Sequence, residues 1–204
     1  MQINVGLIIT FLLLLTTGTQ NIAQKVQVSK DPLTKEQVAV YRAVLTDYLK
    51  EDKSPLNLNS ETELFDRSRD SFDQGCAKGI DLETTPAPMI HELDRRVATS
   101  HGIVLVDAER QQKKIAENDP QNTIKKGVDS HEKVSEKQLK DSVTQAFSTG
   151  LFTFSEIAFD KQHRRAVVSY SFVCGGLCGQ GRTVVLKNLG QTWKIINGCG
   201  GWIS

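Results

Sequence analysis

Ala166-Val-Val-Ser-Tyr-Ser-Phe-Val-Cys-Gly-Gly-Leu-Cys-Gly-Gln-Gly-Arg-Thr-Val-Val-Leu-Lys-Asn188 decides the fold class. Two alternating runs rich in β-branched residues flank a glycine-rich turn from Cys174 to Gly181, and so short a connection makes its strands antiparallel. The period of two puts Ala166, Val168, Tyr170 and Phe172 on one face, with Val184 and Leu186 from the next run. Cys174 closes that apolar side. Ser169, Ser171, Thr183 and Lys187 fall on the other side, so one face is expected to be wet and the other to carry helices.

Further strands lie to either side of this hairpin. Phe152 to Phe159 precedes it and ends at Asp160-Lys-Gln-His163, while Thr192 to Asn197 follows, adds Trp193 and Ile195 to the apolar face, and ends at Gly198-Cys-Gly-Gly201. Just upstream, Ser135-Glu-Lys-Gln138 has the spacing of a capping box, and Val134 with Leu139 that of a hydrophobic staple. The helix they open covers 136–148, with Leu139, Val143, Ala146 and Phe147 as its buried stripe and Gly150 placed for a left-handed C-terminal position. A second well-marked helix spans 32–50, capped by Asp31 or Thr34 and apolar along Val38, Tyr41, Leu45 and Tyr48.

The segment between these helices is less regular. Leu56-Asn-Leu58 reads as a short strand, Ile90 to Thr99 as a helix, and Gly102-Ile-Val-Leu-Val106 as a buried strand. Asp107 caps a short polar helix through about Asn118, and 119–133 reads as a polar linker or long loop. The expected fold is α+β, with amphipathic helices packed on one face of an antiparallel β-meander formed mainly by the C-terminal part. Residues 24–204 make a single domain, irregular and helical with long loops over 24–133, then helix plus meander over 134–204.

The N-terminus differs from the rest. Val5-Gly-Leu-Ile-Ile-Thr-Phe-Leu-Leu-Leu-Leu15 is too short for a span and suits a signal peptide over 1–23, cleaved after Ala23 or earlier after Thr19. No Lys or Arg precedes the run, and a retained N-terminal anchor is the other reading. Export predicts a secreted or periplasmic protein with no membrane span after cleavage. It also changes how Cys76, Cys174, Cys178 and Cys199 are read: an even number of cysteines in an oxidising compartment predicts two structural disulfides. Three connectivities are open; pairing neighbours gives Cys174 with Cys178 and Cys76 with Cys199.

Most chemistries lack a carrier. A net charge of +1 with 39% hydrophobic residues implies no nucleic-acid partner. His91-Glu-Leu-Asp-Arg95 begins like a zinc-protease motif, but Arg95 stands where the second histidine is required. That leaves His91 as an exposed helix residue. Asp66, Asp70 and Asp73 fit a solvated surface better than a carboxylate pair across a cleft. Redox exchange favours Cys-x-x-Cys at a helix N-terminus, whereas this pair has three residues between and a β context; zinc would need all four thiolates. No Gly-x-Ser-x-Gly elbow is present, and the histidines at 91, 101, 131 and 163 have no nucleophile beside them in sequence. No catalytic, cofactor-binding or metal-ligating residue is assigned, and no cofactor is expected.

The run Ala166 to Gly181, the following Val-Val-Leu-Lys-Asn-Leu-Gly-Gln-Thr-Trp193 and the closing Trp202-Ile-Ser204 resemble an uncharacterised family of exported bacterial proteins. Its members share a signal peptide, a variable helical N-terminal part and a Cys-Gly-x-Leu-Cys-Gly-x-Gly turn. The resemblance covers the last quarter of the chain and brings no activity with it. The expected function is an exported non-catalytic binding or envelope-associated module with an envelope or extracellular protein as partner; a small secreted or periplasmic hydrolase is the alternative.

Overall fold

The computed structural model describes residues 26–50, 55–66, 75, 77–83, 89–99, 102–190 and 192–204. The expected signal peptide, Cys76, Asp70, Asp73 and His101 lie outside the described residues. In chain order the elements are β1 (Gln27–Ser29), α1 (Lys35–Tyr48), β2 (Leu56–Asn59), β3 (Met89–His91), β4 (Ile103–Val106), α2 (Ala108–Glu117), α3 (Pro120–Ser130), α4 (Glu136–Thr149), β5 (Leu151–Phe154), β6 (Ala158–Phe159), β7 (Arg165–Gly175), β8 (Cys178–Asn188) and β9 (Trp193–Ile203).

The β7–β8 hairpin runs from Arg165 opposite Lys187 to Gly175 opposite Cys178, with a bulge between Val173 and Gly175. β9 extends it antiparallel on one side, and β5 and β6 pair antiparallel with β7 on the other. The order β4-β2-β5-β7-β8-β9 then adds something that alternation does not show: β2 lies parallel to both β5 and β4. The long connection through α2, α3 and α4 returns the chain in the direction a parallel neighbour requires. The fold is α+β, and its sheet is mixed rather than a pure meander.

Thr34 caps α1 with a complete capping box, and the helix lays Val40, Tyr41, Val44 and Leu45 on the apolar face. Leu58, Phe152, Phe154, Val168 and Leu186 meet them, all fully buried. Tyr41 packs on Phe154 with ring centroids 4.8 Å apart and donates its buried hydroxyl to the Ser155 carbonyl at 3.1 Å. That bond keeps a buried phenol satisfied.

Several expectations are corrected. The second face of the sheet is not simply wet, because Val167, Val185 and Cys199 join Ala77, Leu82 and Ala158 in a separate small core. Residues 90–99 are not a helix: β3 pairs in parallel with β1, and the Leu93 N–H bonds the Ser60 carbonyl at 2.7 Å, which fixes an extended path. β4 lies at the sheet edge with Val104 exposed, so it is not the buried strand its composition suggests. The polar stretch after Asn118 holds α3, which Asp119 caps and Pro120 opens, a first-turn position where proline costs no bond. Gly198 to Gly201 belong to β9 instead of a terminal turn. Gly150 is not left-handed, with φ at −54°; glycine is needed there because a Cβ would overlap the Phe172 ring. Among the described residues no helix is long and apolar enough to cross a membrane.

The β6–β7 turn carries a charged clasp. Asp160 is buried and accepts from the N–H groups of Arg164 and Arg165 at 2.7 and 3.0 Å. This holds His163, at φ 51°, so that its ring stacks on Phe159 and its Nδ1 lies 2.7 Å from Glu36 in the first turn of α1. Glu83 is 3.3 Å from Nε2. The bond to Glu36 raises the His163 pKa, against the opposing effect of burial, and the charges of Glu36 and Glu83 add to the rise. A raised folded-state pKa gives a stabilisation that is full below the unfolded value, about 6.5, and is lost as pH rises through the folded value. In urea unfolding, His163→Gln is expected to cost about 0.5 kcal/mol at pH 6, the scale of a half-exposed pair, and nothing at pH 9. An equal loss at both pH values would mean that the clasp does not depend on charge.

Candidate functional site

The stripe that defines α4 in sequence finds little to cover it. Ala146 is the buried member, while Leu139, Val143 and Phe147 remain 39%, 37% and 48% exposed. This corrects the expectation of a fully buried stripe. α3 stands beside α4 and adds the half-exposed Ile124, because its own Ile124 and Val128 never reach the sheet.

These side chains line a cleft of 430 Å³ whose floor is Phe172 and the Cys174–Cys178 bridge and whose far wall is Leu177 with Ile203. Phe147 stacks on Phe172 with centroids 5.9 Å apart and planes at 23°. At the mouth, Asp119 serves two partners: Oδ1 accepts from the Gln121 N–H at 2.9 Å, starting α3, and Oδ2 accepts from the Gly176 N–H at 2.7 Å. That second bond fastens the hairpin tip to the helix pair. The disulfide, with Cα atoms 5.1 Å apart, keeps Leu177 presented at the crest of the turn, where it is 68% exposed. The turn therefore does more than close the sheet: it makes one wall of the cleft. The sequence signal was there in an apolar Leu177 among glycines and an α4 stripe, but only the fold brings the two together.

Cys174 and Cys178 are bonded to each other, and Cys199, buried in the second small core, is also disulfide-bonded. Cys76 lies outside the described residues. Sulfur held in a disulfide is neither a thiolate nucleophile nor a metal ligand. Among the described residues no group of three or more His, Cys, Asp or Glu is placed to hold a metal ion.

His91 is the residue whose surroundings differ most from expectation. It sits in β3, half-buried, with Nδ1 3.0 Å from each carboxylate oxygen of Glu156. Thr62 also hydrogen-bonds this carboxylate through its hydroxyl, and the His91 N–H donates to it at 2.9 Å. Glu156 lies in the short β5–β6 connection, where no periodicity marks it, and sequence reasoning missed it. Its negative charge adds to burial in raising the Tyr41 hydroxyl well above the ordinary value. A carboxylate behind a histidine orients the ring, as catalytic bases require. Among the described residues, however, no nucleophile is hydrogen-bonded to Nε2. His131 and Asp66 are exposed, and neither approaches this pair within hydrogen-bond distance.

No family model, no curated protein and no solved structure matches the chain.

Bridging Cys174 to Cys178 closes a short loop, for which the chain-entropy model gives about 2 kcal/mol. The double variant Cys174→Ala/Cys178→Ala is expected to lose roughly that much in denaturant unfolding, and Leu177 loses its fixed position. Unchanged stability would show that Asp119 and the β7–β8 ladder hold the turn without the bridge.

Proposed function

We propose that the protein is an exported, non-catalytic binding module that takes the apolar chain of a small amphiphile in the cleft between α3, α4 and the disulfide turn. One observation carries this reading: exposed apolar side chains from two helices and a covalently fixed turn converge on one hollow of 430 Å³. That lies within the range of small-molecule sites, about 300–1,000 Å³, which are mostly apolar with a few polar groups at one end. Asp119, Gln121 and Gln180 are the longer polar side chains of its lining, Gln180 also donating to the Tyr48 hydroxyl at 3.2 Å. Asp119 is the charged member of the lining, so a neutral or cationic head group fits and an anionic one is repelled.

Export is supported by the apolar run at residues 5–15 and by cysteines held as disulfides, which persist in oxidising compartments. The resemblance of the last quarter to exported bacterial proteins points the same way. An envelope or extracellular protein presenting an apolar segment is the macromolecular counterpart of the same ligand chemistry. The hydrolase reading draws on the His91–Glu156 pair alone and would require ester, peptide or glycoside turnover that disappears in His91→Ala.

Calorimetric titration with decyltrimethylammonium, below its micelle concentration, is expected to saturate with a dissociation constant of about 10 μM to 1 mM, given roughly 0.8 kcal/mol per buried methylene. Decanoate is expected to bind more weakly. Val143→Glu, at an exposed position on α4, should weaken the cationic ligand less than decanoate and both by at least about tenfold. Absence of saturation with either amphiphile would overturn the proposal, and concentration-dependent dimerisation lost in Val143→Glu would assign the cleft to a second copy of the chain.

A further inference from the structure

Across the sheet from the cleft, four strands bring polar residues into register. Thr153 on β5 pairs with Ser171 on β7, Ser171 with Gly181 on β8, and Gly181 with Trp202 on β9. Further along the same strands Ser169 pairs with Thr183, and their hydroxyl oxygens are 2.7 Å apart. The Ser155 hydroxyl accepts from the Ser169 N–H at 2.9 Å and fixes the edge of this floor.

The glycines give the face its shape. A Cβ at Gly181 would overlap the five-membered ring of the Trp202 indole, and one at Gly179 would stand 3.0 Å from the far carbons of its six-membered ring. The indole therefore lies flat along β8 over both glycines, one face on the backbone. With Trp202 43% exposed, the other face is open to solvent. Platform and hydroxyl floor border a hollow of 230 Å³, rimmed by Glu63 and Asp66.

The hydrogen-bonding capacity of this floor is not used up. The Ser169–Thr183 contact consumes one of two hydroxyl hydrogens. Thr153, Ser171 and the Glu63 carboxylate have no side-chain hydrogen-bond partner among the described residues. A wholly apolar ligand would strip water from these groups without replacing its bonds. An anion would meet two carboxylates against one guanidinium, that of Arg182, whose side chain packs over Gly198. A ligand with one face of C–H groups and a rim of neutral hydroxyls meets every feature, since the C–H face carries the partial positive charge that the negative face of an indole attracts.

We propose that this hollow binds a neutral pyranose unit of a glycan, its C–H face on Trp202 and its hydroxyls bonded to Thr153, Ser171, the Ser169–Thr183 pair and Glu63. The site is on the opposite face from the amphiphile cleft and does not depend on it. Both sites flank β8 and β9, so the protein is fit to hold a glycan and an apolar chain together.

Trp193 is buried in the core beneath α1, so a ligand-induced change in tryptophan emission reports on Trp202. Maltotriose, cellotriose and chitotriose are titrated into the full chain by fluorescence and calorimetry. At least one is expected to give a saturable blue shift with half-saturation of about 0.1–10 mM. Ser171→Ala and Thr183→Val, which remove a hydroxyl with little change of shape, are each expected to weaken that binding about fivefold or more. Trp202→Ala is expected to abolish the calorimetric signal while decyltrimethylammonium still binds; where that variant does not fold, Ser171→Ala decides. No saturation with any of the three glycans by about 20 mM, or unchanged affinity in Ser171→Ala and Thr183→Val, overturns the proposal.

Discussion

The pairing of β7 with β8 constrains everything around it, because eleven-residue strands locked in one register force the identity of each face. Even-numbered residues from Ala166 to Phe172 meet those from Leu186 to Gln180, and a slip of one residue would send Phe172 and Val168 to the opposite side. The Cys174–Cys178 bridge and the Asp119 bond to Gly176 close the hairpin at its tip, and the Asp160 turn closes it at its base. With the register held at both ends, α1 has one surface on which to bury Tyr41, Val44 and Leu45.

The two sides of the sheet are then put to different uses. On the side of α1 the apolar residues outrun the helices available to cover them. α1 fills the centre, α4 touches down at Ala146 and Phe147, and the space left over between α4, α3 and the hairpin tip becomes the cleft. On the reverse side Val167 and Val185 interrupt a field of hydroxyls and draw the 77–83 segment over one half. The other half keeps Ser169, Ser171 and Thr183 beside the open face of Trp202. Glycines at 179 and 181 serve this arrangement by leaving room for an indole.

Polar pairs fasten the periphery to that frame. Glu156 gathers His91 and Thr62 around one half-buried carboxylate, so the first half of the chain is tied to the β5–β6 connection by hydrogen bonds as well as by packing. His163 does the same for the start of α1 through Glu36. Charges in such places are costly unless they are paired and hydrogen-bonded, and here each carboxylate finds more than one donor or a histidine.

Local rules were sufficient for much of this chain. The capping boxes at Thr34 and Ser135, the cap at Asp107, the short strand at Leu56 and the alternating faces of β7, β8 and β9 follow from dihedral preference and periodicity, which act over a few residues. Helix α3 was hidden because its apolar residues are few and its polar ones resemble a loop, although Asp119-Pro120 is a good helix start. What lay beyond sequence were contacts between distant segments: the parallel placement of β2, Glu156 behind His91, the second core around Val167, and the partial exposure of the α4 stripe. Periodicity states that Leu139, Val143 and Phe147 share a face; it does not state how much surface is left to cover that face once α1 is in place. The sequence by itself determined the β7–β8 hairpin with its two faces and the helices α1, α2 and α4. Only the tertiary structure decided that Leu177 and the stripe of α4 face one another across an open cleft, because that depends on the balance between apolar area presented by the sheet and the helices that reach it.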